Sequence, residues 1–403
     1  MKAAERRQDI LKIIQNLDIS PTMYKNAHDK YISLARYLES HGVEADMYPQ
    51  GSFALGTVVR PVAKNPDASY DLDFICQVWS NRDQQAPSDL RADVEEILRS
   101  SDLYGGKLEV YDKCFTIRYA DIGGVGFSID IVPAVDENAI NKYRLVQKSR
   151  TPSLIQTAIA IPKQCNNTYR WITNNPRGYR TWFEEINKPF MLAVRQDQRS
   201  KILQENRTLY SSVEEIPDAV FRSSIQRVIQ ILKYHRDVYY GQFQDGDDTK
   251  PISAIISTIV AQAAAHMPAT ISVFELLQYV LNEFGTYGNY QHLTEKRFSE
   301  CHPGKDLIRK ENGRWILENP ANPEDNLADQ WNTDTKIPDR FFRWIRTAYE
   351  DLVNSISLDD GEFRARIETA FRPDIVASMW SDKYQKAPPV PVPTTAAKPW
   401  KRI

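Results

Sequence analysis

The sequence predicts a mixed α/β core followed by a helical lobe. Two observations carry that expectation: strands of alternating polarity fall between residues 70 and 132, and helical periodicity dominates from about residue 190 onward. The 403 residues, 42% of them apolar or aromatic and 26% charged, suffice for two or three domains around a sizeable core.

Ile10, Leu11, Ile13 and Ile14 recur at helical spacing between Ala3 and Leu17, and Asp18 to Pro21 interrupts them. A longer stripe follows, Tyr24, Ala27, Tyr31, Leu34, Ala35 and Leu38, ended by His41-Gly42, where glycine supplies a left-handed cap. Tyr70 to Trp79 then alternates, with Leu72, Phe74, Cys76 and Val78 on one face and Asp71, Asp73 and Gln77 on the other. Ala92 to Leu98 reads as a helix. Lys113 to Ala120 and Val125 to Val132 read as two strands joined by Asp121-Ile122-Gly123-Gly124, a glycine-paired hairpin signal. Helices are predicted over Phe190 to Tyr210, Val220 to Tyr240, Ile252 to His266, Val273 to Phe284 and Arg340 to Val353. Tyr287 to Thr335, rich in Asn, Pro, Gly and charge, reads as a loop region, and the closing KAPPVPVPTTAAKPWKRI as an extended, polyproline-like tail. The expected divisions are N-terminal helices packing on the core over 1–45, the core over 46–167, the helical lobe over 168–385 and the tail over 386–403.

Fifty-one basic against fifty-three acidic residues leave a charge of -2, so a coat for long duplexes is disfavoured and small nucleotides or a local patch are favoured. Cys76, Cys114, Cys165 and Cys301 lie far apart without a C-x-x-C pair, which argues against a structural zinc site. The amino terminus is charged from its second residue and no apolar run approaches the eighteen or so residues that span a bilayer, so a cytoplasmic protein with reduced cysteines and no membrane anchor is expected.

The chemistry resides in Gln50-Gly51-Ser52, in Asp71-x-Asp73 on one strand and in Asp130 on another. Residues two apart on a strand project side by side, and a neighbouring strand can add a third carboxylate to the patch. Such carboxylates raise one another's pKa unless a divalent cation neutralises them. Mg²⁺, with Mn²⁺ as a substitute, suits oxygen ligands and serves phosphoryl displacement. Asp130 lies within the apolar string Phe127-Ser128-Ile129-Asp130-Ile131-Val132, where an unpaired charge is costly; the alternative is that it caps a turn or pairs with Arg118 across the hairpin.

The run PQGSFALGTVVRP, then YDLDFIC, then SIDIVPA resembles the bacterial cyclic GMP-AMP synthase/DncV-like nucleotidyltransferases, the CD-NTases, within the DNA polymerase β-like superfamily. LKYHRDVYY, KPISAIISTIVA and ENPANPEDNLADQW resemble the helical lobe that these enzymes share with oligoadenylate synthases. The resemblance implies a polymerase β-like core with a mixed sheet and a nucleotide cleft between core and lobe. Gly51 and Ser52 would hold the triphosphate, Asp71 and Asp73 both metals, and Asp130 the catalytic metal while it helps deprotonate the attacking hydroxyl. Lys233, past the apolar stripe of its helix, would contact the triphosphate and Ser253 would add a hydroxyl; otherwise they are a solvated lysine and a helix cap. Lys250 is a lesser candidate. Arg60 either neutralises phosphate or pairs with a carboxylate such as Asp67. Asn319-Pro320-Ala321-Asn322-Pro323 near Trp331 forms either one wall of a base pocket or an ordinary turn.

The activity implied is synthesis of a cyclic dinucleotide or small cyclic oligonucleotide from nucleoside triphosphates, in antiphage (CBASS) signalling through a separate effector. An accessory protein at the C-terminal tail is possible within such a family, although the chain ends in Ile403 where a small residue is usual. The zinc insertion with which the animal DNA sensor clamps duplexes has no counterpart, so long DNA is not an implied partner. Two rivals remain open at this level: nucleotidyl transfer to a tRNA or protein hydroxyl, and a non-enzymatic nucleotide sensor.

Overall fold

The first helix, α1 (Lys2–Asn16), turns Ile10, Ile13 and Ile14 inward, and α2 (Pro21–Ser40) starts where the Ser20 hydroxyl accepts from the Met23 N–H. A computed structural model describes residues 2–61, 69–122, 125–205, 221–301 and 307–385. The core comprises β1 (Ala45–Pro49), α3 (Gly51–Leu55), β2 (Ser69–Asn81), α4 (Pro87–Arg99), β3 (Leu108–Val110), β4 (Phe115–Ile122), β5 (Val125–Asp136), α5 (Ala139–Lys148), β6 (Ile159–Cys165) and β7 (Thr168–Asn174). The strands lie in the order β1-β2-β5-β4-β3, and β6 and β7 extend the sheet from β5. Only β2 and β5 run parallel among the described pairs. The apolar residues of α2 and α4 cover one face, with Leu34, Leu38, Leu90 and Leu98 packed against Phe74, Phe115 and Ile131.

The helical lobe holds α6 (Pro176–Glu205), α7 (Ser224–Tyr240), α8 (Gly246–Thr249), α9 (Ser253–Ala264), α10 (Val273–Asn289) and α11 (Glu295–Cys301). Two hairpins, β8 (Arg309–Glu311) with β9 (Arg314–Ile316) and β10 (Glu318–Asn319) with β11 (Asn322–Asn326), precede α12 (Lys336–Leu352), α13 (Asp360–Phe371) and α14 (Pro373–Trp380). α7 is buried on almost every side, and a capping box between Ser223 and Gln226 sets its start. No helix among the described residues is long and apolar enough to cross a membrane.

Four expectations change. Helix α1 packs into the helical lobe, where Ile10, Ile13 and Ile14 join the cluster of Ile229 and Phe371, whereas α2 alone of the two covers the sheet. The boundary expected at 167 falls inside the sheet, because β7 pairs along its whole length with β6. That hairpin turns at Asn166, whose positive φ of 55° asparagine tolerates. Tyr287 to Thr335 is not simply loop: it carries the end of α10, α11 and two hairpins built around buried Trp315 and Trp331. Finally, α6 begins at Pro176, well before Phe190, and passes through Pro189. The Gly123-Gly124 turn, the end of the helix expected to reach Tyr210, and the tail from Lys386 onward lie outside the described residues.

Candidate active site

Parallel pairing of β2 with β5 sets Asp71 opposite Ser128 and Asp73 opposite Asp130. The three carboxylates therefore share one side of two adjacent strands. The Ser128 hydroxyl donates to Asp71 Oδ1, and Thr116, opposite Asp130 on β4, donates to Asp130 Oδ1 at 2.6 Å. Arg118 pairs with Glu109 at 2.6 Å and so does not pair with Asp130. Burial first, then the charges of Asp130 and Asp71, push the Asp73 carboxyl up to about 7. Burial also raises Asp130, opposed by the Thr116 hydrogen bond and reinforced by Asp71. Among the described residues no three His, Cys, Asp or Glu side chains form a ready-made cage for an ion; Asp71 and Asp130 are engaged by hydroxyls instead.

The glycine-serine turn abuts these carboxylates. The Gln50 N–H donates to the Asp73 carbonyl at 2.8 Å, which ties the start of α3 to β2. Gly51 has φ +62°, and a Cβ there would stand 2.6 Å from Asp73 Oδ2, so glycine is required on both counts. From the other side, Gln226 Nε2 on α7 donates to the Leu55 carbonyl at 2.9 Å. Lys233, two turns along the same face of that helix and only 7% exposed, donates to the Thr57 carbonyl at 3.1 Å. Burial, then Arg236, lowers the Lys233 ammonium to about 8, while Asp237, Asp73 and Asp71 oppose the shift. Ser253 opens α9 one residue after its cap, Ile252, and accepts from Arg236 Nη1 at 3.2 Å. Lys250 pairs with Asp247 at 3.0 Å and lies 3.8 Å from Asp237. Arg60 Nε donates to the Asp18 carbonyl at 2.9 Å; the alternative partner Asp67 lies outside the described residues.

These residues wall one cleft in two connected parts that share Gly51, Ser52, Lys233, Lys250 and Ser253. The larger part, about 870 Å³, reaches Asp71 and Asp73 and gathers Arg60, Arg236 and Arg372. The smaller, about 470 Å³, is bounded by Asn174, Tyr179 and, opposite them, the β10–β11 hairpin and Trp331.

Residues 5–187 match the Second Messenger Oligonucleotide or Dinucleotide Synthetase (SMODS) domain. The chain has the fold of the solved CD-NTases. Over 347 residues it is 22% identical to the c-di-GMP synthase of Roseivirga ehrenbergii, spanning 85% of this chain and 77% of that protein. The Bradyrhizobium diazoefficiens CD-NTase CdnG, solved in complex with GTP, aligns with a TM-score of 0.64 at 19% identity, over 93% of this chain and 98% of that one. The Vibrio cholerae DncV cyclic AMP-GMP synthase, solved with the linear intermediate 5′ pppA(3′,5′)pG, aligns with a TM-score of 0.52 at 14% identity, over 93% and 87% of the two chains. The polymerase β-like core with a mixed sheet and an appended helical lobe is thus the fold of this protein.

Gly51, Ser52, Asp71, Asp73 and Asp130 all lie within the residues that match the SMODS model, and Lys233 and Ser253 reach the cleft of Gly51 and Ser52 from the lobe beyond them. Sequence reasoning missed Thr116 and Ser128, whose alternation was visible but whose pairing was not, and it missed Asp325. The amides it favoured are otherwise engaged. Asn322 Nδ2 donates to the Thr173 carbonyl at 3.2 Å, and Asn319 Oδ1 accepts from the Ala321 N–H at 3.0 Å. Trp331 is 3% exposed, its ring stacked into a cluster with Phe341 at 4.6 Å, so it offers the cleft little surface.

Proposed function

We propose that this protein joins nucleoside triphosphates into a cyclic dinucleotide or small cyclic oligonucleotide and releases pyrophosphate, with Asp71, Asp73 and Asp130 as its catalytic carboxylates. The observation that carries this reading is the register that sets Asp73 beside Asp130, with Asp71 one pleat away, where Asp71 and Asp73 line a cleft shared with Lys233. Support also comes from the SMODS match and from relatives that are named for cyclic dinucleotide synthesis.

The residues fit a divalent cation, Mg²⁺ or Mn²⁺. All the donors are hard oxygens, and the crowding that raises Asp73 and Asp130 is the kind a cation relieves. When bound by Asp71, Asp73 and Asp130, such an ion would supply charge neutralisation for phosphoryl transfer. Gly51, Ser52, Lys233 and Ser253 line both parts of the cleft, so they hold the triphosphate where its tail can lie toward the carboxylates. Burial raises the pKa of Asp130, which makes its carboxylate a stronger base toward the proton of the attacking hydroxyl. A linear intermediate that keeps its triphosphate can rebind with that group on the same residues and its free hydroxyl near Asp130. One site then performs both steps. The product would act through a separate effector in antiphage signalling.

Incubation with all four nucleoside triphosphates and Mg²⁺ or Mn²⁺, followed by mass spectrometry of phosphatase-resistant material, tests the reading. A cyclic product is expected from the wild type and none from Asp71→Ala/Asp73→Ala, whose melting temperature should be no lower. A ladder of linear oligomers with 5′ triphosphates would overturn cyclisation, and full activity in the double variant would overturn the site.

A further inference from the structure

Leu17 and Ile19 are both buried, but in different places: Leu17 joins the apolar cluster of the lobe and Ile19 that of the sheet. The link between α1 and α2 therefore crosses from lobe to core at Asp18. A half-buried carboxylate at such a crossing needs partners, and α7 supplies two. Arg227 Nη1 donates to Asp18 Oδ2 at 2.7 Å, and Gln230 Nε2 donates to Asp18 Oδ1 at 2.8 Å. The two donors are themselves joined, because Arg227 Nη1 also donates to Gln230 Oε1 at 3.0 Å. Gln230 is fully buried, and its Nε2 also donates to the Val58 carbonyl at 2.8 Å.

The link in turn holds Arg60. The Leu17 carbonyl accepts from the Arg60 N–H at 2.9 Å, and the Asp18 carbonyl accepts from Arg60 Nε at 2.9 Å. Two neighbouring carbonyls thus tie down both its main chain and its side chain, and because a guanidinium is planar, fixing Nε restricts where the two η nitrogens can lie. Arg60 lines the larger part of the cleft together with Asp71 and Asp73. Of the other cations there, Arg236, Lys250 and Arg372 are paired with Asp237, Asp247 and Asp374 at 2.8, 3.0 and 3.1 Å. Arg60, like Lys233, hydrogen-bonds only to carbonyl oxygens among the described residues. Its charge is not matched by a bonded carboxylate, so a group bearing several negative charges is the partner it suits.

We propose that Asp18 is a positioning residue for triphosphate binding, holding the Arg60 guanidinium in the wall of the larger part of the cleft. This inference rests on the nucleotidyl-transfer reading above and adds two residues to that site, one that touches the triphosphate and one that acts through it. The physical reason is preorganisation: a long arginine side chain loses rotamer freedom when it binds phosphate, and less remains to be lost where its root is already fixed. Removing the Asp18 side chain frees the link from α7, and the carbonyls that hold Arg60 are freed with it. None of these contacts involves β2 or β5, which carry Asp71, Asp73 and Asp130.

A double-mutant cycle tests the proposal. The probe is inorganic tripolyphosphate with Mg²⁺, titrated by calorimetry into the wild type, Asp18→Ala, Arg60→Ala and the double variant. Arg60→Ala should weaken binding by about tenfold, the scale of one charge-assisted hydrogen bond, and Asp18→Ala by at least about threefold. The double variant should bind as Arg60→Ala does, because Asp18 acts only through Arg60. With nucleoside triphosphates as substrates, Asp18→Ala should raise KM by more than it lowers kcat, whereas a merely structural role would lower the melting temperature and leave KM where it was. Asp18→Asn, which keeps the shape of the side chain and one acceptor, goes through the same cycle if the alanine variant does not fold. The proposal is overturned by a wild type that does not bind tripolyphosphate, by either single variant binding it unchanged, or by an Asp18 effect of equal size with and without Arg60. None of these results touches the product analysis. If the cycle behaves as expected but no nucleoside triphosphate yields product, the proposed function falls and the role of Asp18 stands.

Discussion

Asp73 titrates near neutrality because it lies buried between two other carboxylates, and this links the site to the pH dependence of the fold. Its folded pKa of about 7 exceeds the ordinary 3.8, so the folded chain holds a proton that the unfolded chain has released between those values. Stability from this group is therefore present at low pH and declines as pH rises through that window. Asp73→Asn should melt above the wild type by a small margin at pH 5 and by a clearly larger one at pH 8, without nucleotide or metal; a margin that does not grow with pH would show that the carboxylate is not strained by its surroundings. Lys233 has the opposite sense: its folded pKa of about 8 lies below the ordinary 10.5, so its penalty is complete below pH 8 and fades toward 10.5. Near neutral pH both groups are held at a cost that a bound triphosphate and cation would offset. Arg372 shows strain of another kind. It joins α13 to α14 with φ 74° and ψ 140°, a region that suits glycine, while its guanidinium pairs with Asp374 at 3.1 Å. Arg372→Gly should raise stability by about 1 kcal/mol in urea unfolding, since relief of backbone strain outweighs a partly exposed ion pair. A loss of stability would mean that the guanidinium contacts dominate.

At the scale of an element, α7 couples the lobe to the glycine-serine turn. Gln226, Gln230 and Lys233, at helical spacing, donate to the carbonyls of Leu55, Val58 and Thr57 respectively. On another face His235 accepts from Trp344 Nε1 at 3.0 Å and meets Asp351 Oδ2 at 3.3 Å, all buried. Two substitutions separate these roles. Gln226→Leu removes the donor to Leu55 and should cost about 1 to 3 kcal/mol, with a raised KM for nucleotide because α3 is no longer clamped. Asp351→Ala should destabilise by a similar amount without altering KM. Steady-state kinetics with thermal melts on both variants would check this, and a KM change for Asp351→Ala would break the distinction.

At the scale of the whole molecule the two ends of the described chain meet. Arg6 lies 4.4 Å from the Phe363 ring centre and donates to the Ile356 and Leu358 carbonyls, while Asp9 accepts from Lys383 and, at 2.8 Å, from the Tyr384 hydroxyl. Tyr384 packs edge-on against Phe363 and Trp380, so the packed fold extends to this residue. Truncation after Lys386 should leave the melting temperature and synthesis intact, whereas Tyr384→Ala should lower the melting temperature. Loss of synthesis on truncation would show that the tail belongs to the catalytic fold.

The sequence by itself determined what depends on near neighbours. The two-residue period of a strand makes Asp71 and Asp73 share a face, the apolar string around Asp130 makes a charge there conspicuous, and the 3.6-residue period marks α2, α7, α9 and α12. Only the tertiary structure decided what depends on pairing between distant segments. Asp73 lies beside Asp130 because of a parallel register between residues 57 apart in the chain, and shifting that register by one residue would turn Asp130 away. The side of the molecule taken by α1 followed from long-range burial, which an amphipathic stripe does not specify. Asp325, in a segment that reads as an ordinary Asn-Pro turn, came to the cleft only when the hairpin set Asn319 beside it as a hydrogen-bond donor. Local periodicity tells which way a side chain points, but its neighbours are set by the contacts that closed the fold.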